Sequence, residues 1–320
     1  MRELSVVIPN WNGAEQLGQN LLKIYAFLRK SGLKFEIIVV DDASTDDSES
    51  VLSDFSFAET ICNKKNLGFA KTANKGVASA SYKHVFILSN DIVLENSLEH
   101  LFEHFDRDDV FAVMPQVKLI DTGFFAYGKR GVKWENGLFK VEEQITGGQP
   151  VNTLFASGGS AIFKRDLFLA LGGFDSLYEP FYWEEIDLSY RAWKRGYSVI
   201  YDPRTFVWNT RCGVIKQFYK QKYIKHISGR NSYLFVWKNI TQPELARQHI
   251  LQLAPSFFED VVCGKWRFPV CLAAALGRFW DAYSKRCIEY CECRRSDEEV
   301  FALVNSSESV ISNTKQSAAM

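Results

Sequence analysis

Two adjacent carboxylates, Glu184-Glu185, with Asp187 close behind, could take a proton from a hydroxyl, and three further polar fragments precede them in the chain. These are Asp41-Asp42, Asn66-Leu67-Gly68-Phe69 with Asn74, and Ser89-Asn90-Asp91. Carboxylates and amides accept hydrogen bonds from N–H and O–H groups, and their oxygens suit hard divalent cations. Each fragment lies where an apolar run ends. Strand ends are where an open α/β sheet builds its ligand crevice, so the order and placement of the set weigh more than any one member.

The elements that must position these residues follow from the apolar pattern. Residues 4–8 form a β-rich run stopped by Pro9-Asn10-Trp11-Asn12-Gly13. Leu17, Leu21, Leu22, Ile24, Tyr25 and Leu28 then recur at helical spacing up to Ser31-Gly32, and residues 35–40 supply the next strand, completing one βαβ unit. Asp46-Asp47 open a helix near Ser48, residues 69–80 make another, and 85–88 form a strand before Ser89. This alternation predicts an α/β fold with a mainly parallel sheet flanked by helices. From 110 to 149 the pattern loosens around a strand at 111–114, with glycines at 123, 128, 131, 137, 147 and 148 marking turns and hairpins. Residues 164–171 and 186–195 read as helices, each closed by glycine, and 199–201 as a late strand. Residues 1–230 are expected to form the main domain, 231–295 a helical, basic and aromatic extension, and 296–320 a disordered tail.

Composition narrows the partners. With 320 residues, 47% of them hydrophobic, the chain can build one large domain and a smaller appendage. Lysine plus arginine and aspartate plus glutamate both total 38, so no global field draws nucleic acid and any anionic ligand must be held by local geometry. Met1-Arg2-Glu3-Leu4 runs directly into a strand without the features of a secretory signal, which implies a cytoplasmic location. The seven cysteines are scattered, and Cys287, Cys291 and Cys293 lack paired C-x-x-C spacing, so reduced thiols are expected rather than a disulfide framework or a zinc site. His100 and His104 stand four apart, but Leu101-Phe102-Glu103 between them does not reproduce the zinc-protease order, and exposed helix positions are the expectation. No apolar stretch reaches the roughly 20 residues of a membrane span.

Taken in order, the fragments resemble the inverting family 2 glycosyltransferases, which have the GT-A fold, and among them a bacterial rhamnosyltransferase-like branch. The likeness runs over residues 4–240. Val6-Val7-Ile8-Pro9-Asn10-Trp11-Asn12 resembles the family's opening strand and turn, and Val39-Val40-Asp41-Asp42-Ala43-Ser44-Thr45-Asp46 its nucleotide-binding strand end. Asn66-Leu67-Gly68-Phe69 with Asn74 and Gly76 resembles the next nucleotide-contacting segment. Gly172-Gly173-Phe174-Asp175, then Glu184-Glu185-Ile186-Asp187-Leu188 with Arg191, resembles the catalytic segment.

The resemblance implies an inverting hexosyl- or deoxyhexosyltransferase. Its donor would be a UDP- or dTDP-sugar and its acceptor a saccharide or polyprenyl-diphosphate-linked saccharide, in cell-surface polysaccharide synthesis. It implies nucleotide contacts at Pro9, Asn10, Asn12, Asp41, Asp42, Asn66, Gly68, Asn74 and Asn90, with Asp41 accepting the imide N–H of the base. Gly158, Gly159, Asp187 and Arg211 fall to the donor or acceptor sugar. Ser89-Asn90-Asp91 stands at the DXD-like motif, so Asp91 is expected to hold Mg²⁺ or Mn²⁺, with Ser89 a weaker ligand than aspartate. Where many relatives carry histidines this chain has Trp208-Asn209-Thr210-Arg211, and a guanidinium there could stabilise the diphosphate directly. Glu185 matches the catalytic aspartate and is the expected base, its extra methylene leaving Glu184 as a rival.

Plainer readings stand beside these. Asp41-Asp42 with Ser44 could cap the next helix, Asn66 and Asn74 could be turn and surface positions, and Glu184, Glu185 and Asp187 could be first-turn acids favoured by the helix dipole. Sugar-nucleotide pyrophosphorylases need a glycine-rich basic loop after the first strand, and Pro9-Asn10-Trp11-Asn12 is not that loop. A nucleotide-sugar-binding protein without catalysis is the non-enzymatic alternative. Lys265-Trp266-Arg267-Phe268-Pro269 leads into an Ala- and Leu-rich helix ending at Arg278-Phe279-Trp280, with Lys285 and Arg286 beyond. That segment suits a peripheral helix on the inner face of the membrane or packing against the main domain.

Overall fold

Alternating strands and helices place the first polar fragments at the carboxyl ends of neighbouring strands of one sheet. The structure, a computed structural model, describes residues 2–210 and 217–310, so Arg211 and the last part of the expected tail lie outside the described residues. β1 (Glu3–Asn10), α1 (Ala14–Lys30), β2 (Lys34–Asp41), α2 (Ser48–Ser53) and β3 (Glu59–Cys62) open the chain, and α3 (Phe69–Ser79) leads into β4 (His84–Leu88). β1 pairs in parallel with β2 on one side and β4 on the other, and its register sets Asn10 against Asp41. Leu4, Val6 and Ile8 pack with Leu17, Leu21, Ile24 and Leu28 of α1, while Val7 packs with Ala73 and Val77 of α3. With both faces covered, these strands read as continuous apolar runs instead of alternating ones.

The chain continues through β5 (Ile92–Val93), α4 (Glu99–Glu103), β6 (Val110–Leu119), β7 (Phe125–Tyr127), the hairpin β8 (Arg130–Glu135) and β9 (Leu138–Glu143), and β10 (Val151–Asn152). β11 (Ser160–Lys164), α5 (Arg165–Ala170), α6 (Glu184–Lys194) and β12 (Ser198–Asn209) follow. The sheet order is β10-β12-β6-β11-β4-β1-β2-β3, with β5 on β12 and β7 on β6. β11 is antiparallel to β4 and β6, and β10 to β12, so the sheet is mixed around its parallel run. An antiparallel strand begins where its parallel neighbour ends. Gly158-Gly159 therefore meet Ser89, whose N–H donates to Gly159 O at 2.8 Å, and β12 sets Asn209 opposite Ile92, beside Asp91. His104, expected on the surface, is buried with Nε2 2.7 Å from Asp202 Oδ2.

Beyond residue 217 lie α7 (Gln221–Asn239), α8 (Pro243–Val262), α9 (Arg267–Leu276), α10 (Phe279–Glu292) and α11 (Asp297–Asn305). The expected boundary between residues 230 and 231 falls inside α7, whose Tyr233, Leu234, Phe235 and Val236 join the core on the α3 side of the sheet. Four successive buried residues make this a helix buried all round, which no apolar stripe would announce. Disorder after Ser296 is also corrected for the described residues. Ser296 Oγ accepts Glu299 N–H at 3.1 Å while Glu299 Oε2 accepts Ser296 N–H at 2.7 Å, a capping box that opens α11. Its Val300 and Val304 are fully buried, and Asp297 receives Lys194 Nζ and Tyr190 Oη, both at 2.7 Å. Among the described residues no helix is long and apolar enough to cross a membrane. α9 and α10 pack on α7, while Phe258, Trp266 and Trp280 remain exposed.

Candidate active site

A cavity of about 830 Å³ opens at the strand ends, a volume typical of small-ligand sites. Pro9, Asn10, Asp42, Asn66, Gly68, Ser89, Asn90, Asp91, Gly158, Gly159, Glu184 and Glu185 all line it. The tips of β1 and β4 are tied by Asn90 Nδ2 donating to Asn10 Oδ1 at 2.8 Å, and Asn10 Nδ2 donates onward to Asp41 Oδ1 at 2.9 Å. A Cβ on Gly13 would come within 2.1 Å of Asn90 Nδ2 and 2.5 Å of Asn10 Oδ1, so this amide pair requires glycine there. A Cβ on Gly159 would sit 3.0 Å from Ser89 Cβ, which explains the bare backbone at that wall.

Several expected contacts have other work. Asp41 accepts Ser44 N–H at 2.9 Å and Ser44 O–H at 2.6 Å besides Asn10, bracing the turn after β2. Its neighbour Asp42 reaches the cavity wall and accepts Leu67 N–H and Gly68 N–H, each at 2.8 Å, fixing the loop before α3. Asn12 Oδ1 takes Thr45 N–H at 2.7 Å, tying one turn to the next. Asn74 is corrected from a nucleotide contact to a clasp. Its amide donates to Phe174 O at 2.8 Å and accepts Phe174 N–H at 2.9 Å, outside the cavity lining.

Asp91 is buried, with Oδ2 accepting Asn209 Nδ2 at 3.2 Å and Oδ1 without a partner among the described residues. A buried carboxylate oxygen left unpaired is costly unless a ligand completes it. No group of three or more His, Cys, Asp or Glu that could hold a metal occurs among the described residues. The donor set therefore fits an ion completed chiefly by ligand oxygens and water, as Mg²⁺ often is.

Glu184 and Glu185 open α6, and each has an Oε2 that is buried and, among the described residues, unpaired. Burial raises both carboxyls above the ordinary glutamate range, and the charge of Glu185 lifts Glu184 further. The two residues before them, Tyr182 and Trp183, have φ of 68° and 84°, a left-handed conformation costly for large side chains. Tyr127 lines the cavity with Asp91 and Glu185, and its phenol is raised chiefly by burial, with the charges of the two carboxylates adding to the rise. Tyr127 escaped sequence reasoning, as did Phe181 and Tyr219. Trp11 and Phe69 sat inside quoted fragments and were the available signal for an aromatic wall.

Asp187 is corrected from sugar contact to structural hub. It is fully buried and accepts Tyr178 Oη, Arg191 Nε and Asn239 Nδ2 at 2.8 Å and Lys238 Nζ at 2.9 Å. Burial alone would raise its pKa, but the Lys238 and Arg191 charges override that and hold it well below the carboxylate range.

A mixed sheet with its carboxylates gathered at the strand ends, flanked by helices, is the GT-A architecture of nucleotide-sugar transferases. The family model described as Glycosyl transferase family 2 matches residues 5–172, more than half of the chain, and the protein belongs to that family. The match ends before Glu184. The chain is 25% identical over 206 residues to the O-antigen chain rhamnosyltransferase WbaN of Salmonella anatum, covering 63% of this chain and 64% of that one. It is 24% identical over 213 residues to the poly-beta-1,6-N-acetyl-D-glucosamine synthase of Staphylococcus aureus (strain COL), covering 64% and 49%. It thus spans less than two thirds of either relative's length. In fold it is similar to GalNAc-T7, crystallised with UDP, GalNAc and Mn²⁺, at TM-score 0.60 and 16% identity over 76% of this chain and 49% of that one. The mannosyltransferase PcManGT from Pyrobaculum calidifontis, in complex with GDP-Man and Mn²⁺, gives TM-score 0.53 and 17% identity over 94% and 85%.

Proposed function

We propose that this chain is an inverting glycosyltransferase that moves a hexosyl or deoxyhexosyl group from a UDP- or dTDP-sugar to a hydroxyl of a saccharide. The acceptor is free or carried on polyprenyl diphosphate, and the product is a cell-surface polysaccharide. The observation that carries this reading is the Glu184-Glu185 pair, each with a buried Oε2 that finds no partner among the described residues, on the same cavity as Asp91, whose Oδ1 likewise finds none. Family membership supports the reaction class. The names of the two sequence relatives support a polysaccharide product; the Mn²⁺ held by both structural neighbours supports the ion, and their UDP and GDP-Man support a nucleoside-diphosphate donor, of which only the UDP favours a pyrimidine base.

The chemistry then falls to named residues. A pyrimidine imide N–H and ribose hydroxyls are donors that the oxygens of Asp42, Asn10, Asn66 and Asn90 can accept. Asp91 would be the protein ligand for Mg²⁺ or Mn²⁺, which would supply charge neutralisation for a diphosphate leaving group. Glu184, 6% exposed and raised further by its neighbour's charge, keeps the proton that the pair shares, because a second charge beside the first is disfavoured. Glu185 is left ionised to accept the proton of the attacking hydroxyl. A single displacement at the anomeric carbon, opposite the leaving diphosphate, inverts its configuration.

Calorimetry with UDP, dTDP and GDP, with and without Mg²⁺ or Mn²⁺, tests the donor half, and Glu185→Gln tests the base. Binding of a pyrimidine diphosphate that strengthens with metal is expected. Glu185→Gln is expected to keep that binding and lose transfer by about 10²–10⁴-fold, the usual contribution of a general base. Wild-type turnover in Glu185→Gln would overturn the mechanism, and binding without turnover in the wild type would favour the non-enzymatic alternative.

A further inference from the structure

The Arg230-Asn231 dipeptide of α7 lies outside the span matched by the family model, yet it grips the backbone that leads into the catalytic pair. Asn231 is fully buried, and its Nδ2 faces three carbonyls of that segment: Tyr178 O at 2.7 Å, Tyr182 O at 2.9 Å and Phe181 O at 3.2 Å. Its Oδ1 is held by Arg230, through Nε at 3.0 Å and Nη2 at 2.8 Å, and Arg230 Nη2 also donates to Glu179 O. Ser228, one turn earlier, receives Trp183 Nε1 at 3.3 Å. One helix therefore captures the carbonyls of residues 178, 179, 181 and 182 and the indole of 183.

The captured stretch is the strained one. Tyr182 and Trp183 are consecutive bulky residues in the left-handed region, a conformation that persists only when the surroundings over-determine it. Glu184 and Glu185 follow at once, so the directions of their side chains depend on that turn keeping its shape. On the far side of the pair, Lys238 and Asn239 of the same helix hold Asp187. The glutamates are thus fixed from both flanks by α7, but only the Asn231 flank bears on the strained dihedrals.

We infer that Asn231, oriented by Arg230, is a positioning residue that locks the Tyr182-Trp183 turn and thereby aims Glu185 at the acceptor hydroxyl. The inference rests on the reading of Glu185 as the base. A truncated side chain at 231 leaves three carbonyls without their shared donor and lets the turn relax. A displacement of about 1 Å at a reacting group can cost on the order of 10²-fold in rate.

The test uses the full chain, the donor that the wild type turns over from a panel of UDP- and dTDP-sugars, and four proteins: wild type, Glu185→Gln, Asn231→Ala and Arg230→Ala. Release of the nucleoside diphosphate gives kcat and KM, and calorimetry with UDP or dTDP reports whether the donor site is folded. Asn231→Ala is expected to lose about 10²-fold in kcat with nucleotide affinity within about 2-fold of wild type, and Arg230→Ala to lose about 10-fold with the same affinity. The acid limb of the kcat–pH profile should shift in Asn231→Ala, since a loosened turn admits water to Glu185, whereas a purely structural loss would scale the profile without moving it. Wild-type kcat in folded Asn231→Ala, or an unshifted acid limb, overturns the inference. If Asn231→Ala does not fold, Arg230→Ala decides by the same criteria. Wild-type kcat in Glu185→Gln would instead sink the base assignment, so the two failures are separable.

Discussion

Replacing Asp187 by asparagine separates a hub from a sugar ligand. Asp187 accepts four hydrogen bonds, two of them from Arg191 and Lys238, which are 4% and 2% exposed. The amide would turn one acceptor into a donor among donors and leave two buried cations one anion short. Removing one partner of a buried ion pair costs about 3–5 kcal/mol. Because Lys238 keeps Asp175 Oδ2 at 2.7 Å, the lower part of that range applies, about 3–4 kcal/mol. At roughly 2–4 °C per kcal/mol for a large domain, the midpoint should fall by about 10 °C. The folded pKa of Asp187 is depressed, so its stabilisation is fully present above the unfolded aspartate value of about 3.9 and is lost only as pH falls through the folded value. The deficit should accordingly be flat between pH 5 and pH 8. Urea unfolding followed by tryptophan fluorescence measures it. A variant within about 1 kcal/mol of wild type that has nevertheless lost transfer would refute the hub and restore the sugar contact.

Three further outcomes follow from other parts of the site. Glu184→Gln should unfold at a higher midpoint than wild type at pH 7.5, by about 0.5–2 kcal/mol, at the expense of rate. A carboxyl whose folded pKa is raised contributes stability below its unfolded value and loses it as pH rises, so the advantage should vanish near pH 4, and calorimetric melts at the two pH values check this. Gly13→Ala should part the Asn10–Asn90 amide pair, costing about 1–3 kcal/mol, and weaken UDP or dTDP binding in calorimetry; unchanged affinity would show that the pair does not shape the nucleotide site. Trp266 is 59% exposed between the exposed Lys265 and Arg267, a combination that complements an anionic lipid surface. Flotation with anionic vesicles should succeed for the wild type and weaken in Trp266→Ala; equal recovery with neutral vesicles would argue against membrane contact.

The crevice was legible because its marks are local: an apolar run ends and a polar residue follows, at Asn10, Asp42, Asn90 and Asp91. Which of two neighbours enters the cavity was not legible. At a strand end adjacent side chains leave on opposite faces, so a shift of one residue exchanges Asp41 for Asp42. Asn74 and Asp187 were misassigned because their partners, Phe174 and Lys238, lie far along the chain, and a buried amide or carboxylate is identified only by what it meets. The five-residue run of β11 carries no sign of its direction, so its reversal was invisible, although Gly158-Gly159 already marked a close approach. In the tail, polar composition outweighed Ser296-Asp297-Glu298-Glu299, a capping box in plain sight.

The clasp between α11 and α6 bears on how the protein comes off the ribosome. Asp297 is the carboxylate for Lys194 Nζ and Tyr190 Oη, both buried on the helix that begins with the glutamate pair. A nascent chain emerges from its N-terminus, so the part of the crevice built by β1, β2 and β4 can form while Lys194 still waits for its counter-ion more than a hundred residues behind. Only when residues 297–305 have cleared the exit tunnel does the C-terminal half of α6 gain this clasp, in addition to the hold of Lys238 and Asn239 on Asp187. Nucleotide retention should therefore precede sugar transfer during synthesis, and a ribosome stalled before Asp297 should display a chain that holds the donor without consuming it.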